Sequence, residues 1–279
     1  MRQRICSFAI WSRVRYRYTC TPLSAVRKRW KSTEAGEGDK FSRLDWWGEG
    51  GVMVRVLRSM NSIRVPLVYN SLLGRPPEAT PTYHAPKPLE GCSVLDVGCG
   101  AGFLTEPLAQ LGAKVIGVEP SREVLAVAER RLNLDPELAS RIEYSCMTLE
   151  EMREEEREGF DCVVASEVAE HVDDLSLFLH LLSSSVKPGG SIILTTINRT
   201  VQSFLTVIAG AEYVLPLLPR GTHSWTQFIT PEELTAGLER REGVAVDWVR
   251  GMWFNPLTSQ WAWSNSTSVN YAIRAVRTY

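Results

Sequence analysis

From residue 93 onward the sequence alternates between apolar runs of strand length and segments of helical periodicity, and this alternation restricts the fold more than any single motif. The apolar runs are residues 93–97, 114–118, 142–146, 160–165 and 191–197, and helical spacing marks residues 104–111, 123–132 and 175–186. A strand that returns to its sheet through a crossover helix must return parallel, so the pattern predicts a doubly wound, mostly parallel α/β sheet. Two further apolar runs, 244–254 and 268–276, have no long helix between them and predict antiparallel closure, for seven strands in all. Before them, Thr230-Pro231-Glu232-Glu233 reads as a capping box with proline in the first helical turn, opening a helix to about Arg241.

Ahead of the sheet, residues 41–73 carry apolar positions at helical spacing and predict a helical cover, which the proline-rich segment 75–88 separates from the first strand. Residues 1–31 contain Arg2, Arg4, Arg13, Arg15, Arg17, Arg27, Lys28, Arg29 and Lys31, and the first acid is Glu34. That is the composition of a mitochondrial transit peptide, with a basic arm for nucleic acid or acidic lipid as the other reading. The expected organisation is a presequence and linker over residues 1–40 and one α/β domain over 41–279. The formal net charge of −1 argues against a nucleic-acid partner bound through a basic surface. Cys6, Cys20, Cys92, Cys99, Cys146 and Cys162 are scattered without a C-x-x-C pair, which suggests neither a disulfide framework nor a zinc knuckle. The apolar stretch 204–218 is interrupted by Glu212 and is shorter than the roughly 20 residues of a spanning helix. The insert of about residues 200–228 therefore reads as a groove for an apolar ligand, an interfacial membrane helix, or an ordinary insert packed on the sheet.

Two motifs carry chemistry. In the first, Asp96-Val97-Gly98-Cys99-Gly100-Ala101-Gly102 leads from a strand through a glycine-rich turn to a helix, where a nucleotide-like ligand can approach the backbone. The spacing is G-x-G-x-G rather than the dinucleotide G-x-G-x-x-G. Asp96 stands where it can meet the ammonium group of a methionine moiety, and Glu119, ending the next strand, where it can accept from both ribose hydroxyls. Together these residues resemble the class I S-adenosylmethionine methyltransferases. In the second motif, Ser166-Glu167-Val168-Ala169-Glu170-His171-Val172, a helical turn would put Glu167, Glu170 and His171 on one face. Two carboxylates suit Mg²⁺ or Mn²⁺, and the imidazole also admits Zn²⁺ or Fe²⁺; a solvated helix start is the plain alternative.

With Trp46-Trp47, Met60-Asn61-Ser62-Ile63-Arg64, Lys187-Pro188-Gly189-Gly190-Ser191, Gly221-Thr222-His223-Ser224-Trp225 and Asn255-Pro256 added, the sequence from about residue 41 to 275 resembles the ubiquinone biosynthesis O-methyltransferase family. The resemblance implies that Arg64, Gly98, Glu119 and Ser166 contact S-adenosylmethionine, with Asp96 and Gly100 beside them in the glycine motif. It also implies that Glu167, Glu170 and His171 bind the metal, Glu170 and His171 thereby serving catalysis. His223 is a candidate base or substrate-positioning residue, and a locally satisfied histidine is the alternative. The implied substrate is a polyprenylated phenol of the dihydroxybenzoate or demethylubiquinol type. The implied setting is the matrix side of the inner mitochondrial membrane, peripheral to it and in a complex with other coenzyme Q biosynthesis proteins. Glu119 stands where the family more often has Asp, and Leu57-Arg58 where Leu-His is common. Two other readings remain open: a noncatalytic lipid-binding or assembly subunit, and a nicotinamide oxidoreductase, which lacks its third glycine here.

Overall fold

In the computed structural model the described residues are 52–154, 159–203 and 227–279, all within the unit Ser32–Tyr279. Eight strands form one sheet: β1 (Ser93–Val97), β2 (Lys114–Val118), β3 (Ile142–Ser145), β4 (Phe160–Ser166), β5 (Val186–Ile197), β6 (Val244–Asn255), β7 (Gln260–Ser264) and β8 (Asn270–Arg277), in spatial order β3-β2-β1-β4-β5-β8-β6-β7. β1 to β5 pair in parallel, whereas β8 runs antiparallel to both β5 and β6. The order of strands reverses between β1 and β4, which stay parallel, and at such a switch point open α/β sheets bind ligands in the crevice outside the carboxyl ends of the strands.

Helices cover both faces, and side-chain alternation along the strands assigns each residue to one of them. Leu95, Val97, Val163, Ala165, Ile192 and Leu194 pack with Phe178, Leu179 and Leu182 of the helix Leu175–Ser185 and with Leu234 and Leu238 of the helix Pro231–Glu239. Val94, Val115, Cys162, Val164 and Ile193 pack on the other face with Ile63, Leu67 and Val68 of the helix Asn61–Leu72 and with Leu104 and Leu108. Asp96 continues the row of Val94, so it looks toward the Asn61 helix. Thr195 continues the row of Ile193 on that same side, and Thr196 lies opposite. Each fully buried leucine in these layers contributes roughly 1.5–3 kcal/mol.

The expected capping box is present: Thr230 Oγ1 accepts from the Glu233 amide at 3.2 Å while the Glu233 carboxylate accepts from the Thr230 amide at 3.0 Å. The helical cover begins with Val52–Ser59 and continues in Asn61–Leu72; residues 41–51 lie outside the described ones. The sheet has one strand more than the seven expected. After β6 the chain turns back through residues 256–259, where Asn255 Oδ1 accepts from the Leu257 amide at 2.9 Å and Ser259 adopts a φ of 54°. β7 then pairs with β6, placing Trp261 opposite Phe254 and Trp263 opposite Met252. These aromatic residues close over the Asn61 helix face rather than serving as loop, which is why a segment without a clean alternating pattern still forms a strand. Among the described residues no helix is long and apolar enough to cross a membrane.

Candidate active site

The turn after β1 is fastened to β2 by its own backbone, since the amides of Gly98 and Cys99 both donate to the Val118 carbonyl at 2.8 and 3.1 Å. Gly98 has a φ of 68°, and a Cβ there would stand 2.5 Å from Val168 Cγ2. The turn is thus closed to side chains both conformationally and sterically, leaving bare backbone at the carboxyl end of the sheet. Gly100 also has positive φ, and its amide donates to Glu119 Oε2 at 3.2 Å while the Ser121 amide donates to Oε1 at 2.9 Å. Glu119 is therefore aimed along the turn by two amides. Burial raises its pKa, and the amide bonds and the nearby His171 pull in the opposite direction.

Asp96 is 2% exposed and accepts a 2.6 Å hydrogen bond from Thr105 Oγ1. Burial pushes its pKa up to about 6, against the Thr105 hydrogen bond and the attraction of Arg64. Arg64, on the Asn61 helix, donates from Nη2 to the Leu57 carbonyl at 2.8 Å and to Asn61 Oδ1 at 2.7 Å, and from Nη1 to Ser166 Oγ at 2.9 Å. Its Nε is buried and has no hydrogen-bond partner among the described residues. Burial lowers the Arg64 pKa, and the charges of Glu167 and Asp96 oppose that shift. The residues fit S-adenosylmethionine: a turn that admits no Cβ, a buried acid suited to an ammonium, a second acid suited to ribose hydroxyls, and a buried guanidinium with a donor to spare.

The acid-histidine segment differs from expectation. Glu167 does not begin a helix; it leaves β4 in the left-handed region with a φ of 58°, and only Ala169–His171 form a single 3₁₀ turn. The shared helical face does not form, and among the described residues no three His, Cys, Asp or Glu side chains are gathered as a metal cluster. The reason lies in β5. Thr195 Oγ1 donates to Glu167 Oε1 and Thr196 Oγ1 donates to Glu170 Oε2, each at 2.8 Å. Neighbouring strand residues point to opposite sides of a sheet, so the two hydroxyls hold the two carboxylates apart. The acids nonetheless sense each other: burial raises both pKa values, and Glu170 raises that of Glu167 further. His171 pulls down the pKa of Glu167 and of Glu119 alike. Two carboxylates near an imidazole have the donor chemistry of a divalent-cation site, but as placed they do not close one.

Arg64, Asp96, Gly98, Gly100, Glu119 and Ser166 thus line the carboxyl edge together, with Glu167, Glu170 and His171 beside them. His223, Trp46-Trp47 and the motif 221–225 lie outside the described residues, as does most of the insert. A cleft of about 300 Å³ opens against Glu170, walled by Ala169, Val172, Arg199, Phe228 and Glu233. Thr105, Thr195 and Thr196 were not singled out from sequence. Their signal was present for the last two, as paired hydroxyls at the carboxyl end of an otherwise apolar strand.

Residues 95–194 match the family described as methyltransferase domain. The rat mitochondrial ubiquinone biosynthesis O-methyltransferase is 42% identical over 280 residues, covering 96% of this chain and 79% of the rat protein. The ubiquinone biosynthesis O-methyltransferase of Methylobacterium nodulans is 42% identical over 251 residues, covering 88% of this chain and 96% of its own length. Among solved structures, magnesium protoporphyrin IX methyltransferase from Synechocystis with bound SAH superposes with a TM-score of 0.58 at 20% identity, covering 87% of this chain and 95% of that one. That likeness is one of fold.

Proposed function

The chain belongs to the ubiquinone biosynthesis O-methyltransferase family, and on that footing we propose that it methylates phenolic hydroxyls of a polyprenylated ring with the help of a divalent cation at Glu167, Glu170 and His171. The observation that carries this reading is the pair of carboxylates at the end of β4 beside the glycine turn, held by Thr195 and Thr196, with Glu170 lining the open cleft.

Methyl transfer from a sulfonium to a phenol is an in-line displacement, so the residues have to fix two partners and remove one proton. Asp96 takes the methionyl ammonium, Arg64 the methionyl carboxylate and Glu119 the ribose hydroxyls, while Gly98 and Gly100 let the cofactor lie against backbone. The phenol enters from the cleft against Glu170. A free phenol has a pKa near 10 by comparison with tyrosine, and a dication, were Glu167, Glu170 and His171 to hold one, would supply positive charge that lowers it. Glu170, with one oxygen held by Thr196, is placed to orient a ring hydroxyl with the other. The sulfonium loses its charge in the transfer, so exclusion of water favours the reaction more than a strong acid does.

The polyprenyl tail, a matrix location against the inner membrane, and association with other enzymes of the same biosynthesis belong to this reading and rest on the relatives. The presequence over residues 1–40 is supported by its run of basic residues. The test of the function is methyl transfer from labelled S-adenosylmethionine to a catechol by purified protein, before and after chelation and with Mg²⁺ restored. Activity that follows the cation supports the proposal, and full activity after exhaustive chelation removes the cation from it.

A further inference from the structure

The helix that follows the glycine turn opens on a threonine whose hydroxyl reaches back across the turn. Thr105 is the first residue of the helix Thr105–Gln110, and its Oγ1 donates to Asp96 Oδ2 at 2.6 Å. The turn itself brings the two together. The Gly102 amide donates to the Cys99 carbonyl at 3.0 Å and the Glu106 amide to the Gly102 carbonyl at 3.1 Å, which folds the chain over Asp96. The next residue, Glu106, is anchored by Arg131, whose Nε and Nη2 donate to its two carboxylate oxygens at 3.1 Å each. Thr105 is therefore held between two fixed points. It is 0% exposed and Asp96 2%, so water has little access to either partner.

An ionised carboxylate at that depth is stable only where donors or positive charge face it. The titratable groups that act on Asp96, or on which it acts, come from every element packed around it: Arg64 from the cover, Cys99 from the turn, Glu119 from the end of β2, Tyr144 from β3 and Cys162 from β4. Burial raises the pKa of Cys99, Tyr144 and Cys162, which keeps all three neutral at about pH 7. Glu119 and Asp96 repel each other. The Thr105 hydroxyl and, behind it, the Arg64 charge are what favour the anion against burial. Arg64 has its Nη atoms bonded to Leu57, Asn61 and Ser166 and acts on Asp96 through charge, whereas Thr105 donates to it directly.

We infer that Thr105 is a positioning residue for the cofactor: its hydroxyl fixes the Asp96 carboxylate by engaging Oδ2, so that Oδ1 meets the methionyl ammonium, and holds that carboxylate ionised. The inference rests on the reading of Asp96 as the ammonium contact. Without the hydroxyl, Asp96 keeps its burial and loses the donor that opposes it. It then takes up a proton at a higher pH, and a protonated Asp96 offers an ammonium no charge. The loss is accordingly selective in pH, large where only the wild-type acid is ionised and small where both acids are.

The experiment is calorimetric titration of full-length protein with S-adenosylhomocysteine from about pH 5.5 to about pH 8. The proteins are wild type, Thr105→Val, Thr105→Ser, Asp96→Asn and the double variant of Thr105→Val with Asp96→Asn. Thr105→Val keeps the shape and removes the donor, so the pH at which affinity declines should move up from about 6 by about 1 to 2 pH units. Affinity should then drop roughly tenfold at about pH 6 and stay within about threefold of wild type at about pH 8. Glu119 titrates in both proteins, so the difference between them reports on Asp96. Thr105→Ser should restore the wild-type profile, and Thr105→Val should change nothing further once Asp96 is asparagine. If the valine variant does not fold, Thr105→Ala removes the same donor and carries the same test. A loss equal at every pH, an unmoved profile, or a serine variant as impaired as the valine one overturns the inference, because a threonine that merely packs the helix start would behave so. Failure of the underlying reading looks different: Asp96→Asn would then bind S-adenosylhomocysteine as tightly as wild type.

Discussion

The two halves of the carboxyl edge are built on different principles. On the β1–β2 side, the proposed cofactor shelf is built from backbone: Asp96, Gly98 and Gly100 lie in one turn, and Glu119, 19 residues beyond Gly100, is held by the amides of Gly100 and of Ser121. Function there resides in backbone that has been kept bare. On the β4–β5 side, Glu167 and Glu170 are placed by hydroxyls 28 and 26 residues away in the chain. Function there depends on which face of the sheet each neighbour occupies.

The sharpest way to break this contrast is Glu170→Gln, which keeps the Thr196 contact but removes a charge. Catechol turnover should fall on the order of 100- to 1000-fold, while calorimetric affinity for S-adenosylmethionine stays within about threefold because the shelf is untouched. Equal losses in both would mean the halves are one unit. Next comes Gly98→Ala, which meets both the positive φ and Val168 Cγ2. Cofactor affinity should drop roughly 100-fold, about 3 kcal/mol of combined strain and overlap. Adding Val168→Ala should recover part of it, because the steric share of the cost crosses between the halves and the conformational share does not. If the double variant recovers everything, backbone conformation at Gly98 matters little.

Glu119→Ala should weaken cofactor binding by about 1.5–3 kcal/mol in a folded protein, and unchanged calorimetric affinity would remove Glu119 from the ribose site. The smallest effect is that of pH. Asp96 has its pKa raised to about 6, so in the empty protein it takes up a proton as pH falls through that value. The ammonium of the cofactor favours the ionised form, and apparent affinity should therefore decline below pH 6, by at most about tenfold per unit. Asp96→Asn should bind weakly and without this pH dependence. The same shift has the opposite sign for stability: ionising Asp96 disfavours the folded state, so the empty protein loses its contribution as pH rises from about 4 through 6. Thermal denaturation of cofactor-free wild type and the asparagine variant across that window measures it.

The same contrast governs what could be read in the sequence. Seven of the eight strand positions, the parallel pairing of the first five, the glycine turn and the Thr230 capping box were legible because they follow from spacing and alternation along the chain. Arg64 was reached only by resemblance, since nothing local tells which helix lies over Ser166. The helical arrangement of Glu167, Glu170 and His171 was misjudged for the complementary reason. The sequence permits a helix directly after Ser166, but Thr195 and the β5 backbone hold Glu167 in the left-handed region and delay the turn until Ala169. β7 escaped notice because Trp261 and Trp263 answer to a tertiary surface rather than to a strand pattern.

The position of β8 bears on how the protein is made rather than on how it works. It is the last strand in chain order, yet it lies inside the sheet between β5 and β6, with Tyr271, Ala272 and Ile273 fully buried. A chain interrupted before Asn270 carries every residue of the described site and still presents two unpaired strand edges, one on β5 and one on β6. Such edges template association with other chains. During synthesis these strands therefore wait for the final segment and need shielding until it arrives. Premature termination in this last stretch should be a defect of proteostasis, removing the enzyme by aggregation or degradation before its chemistry is ever tested.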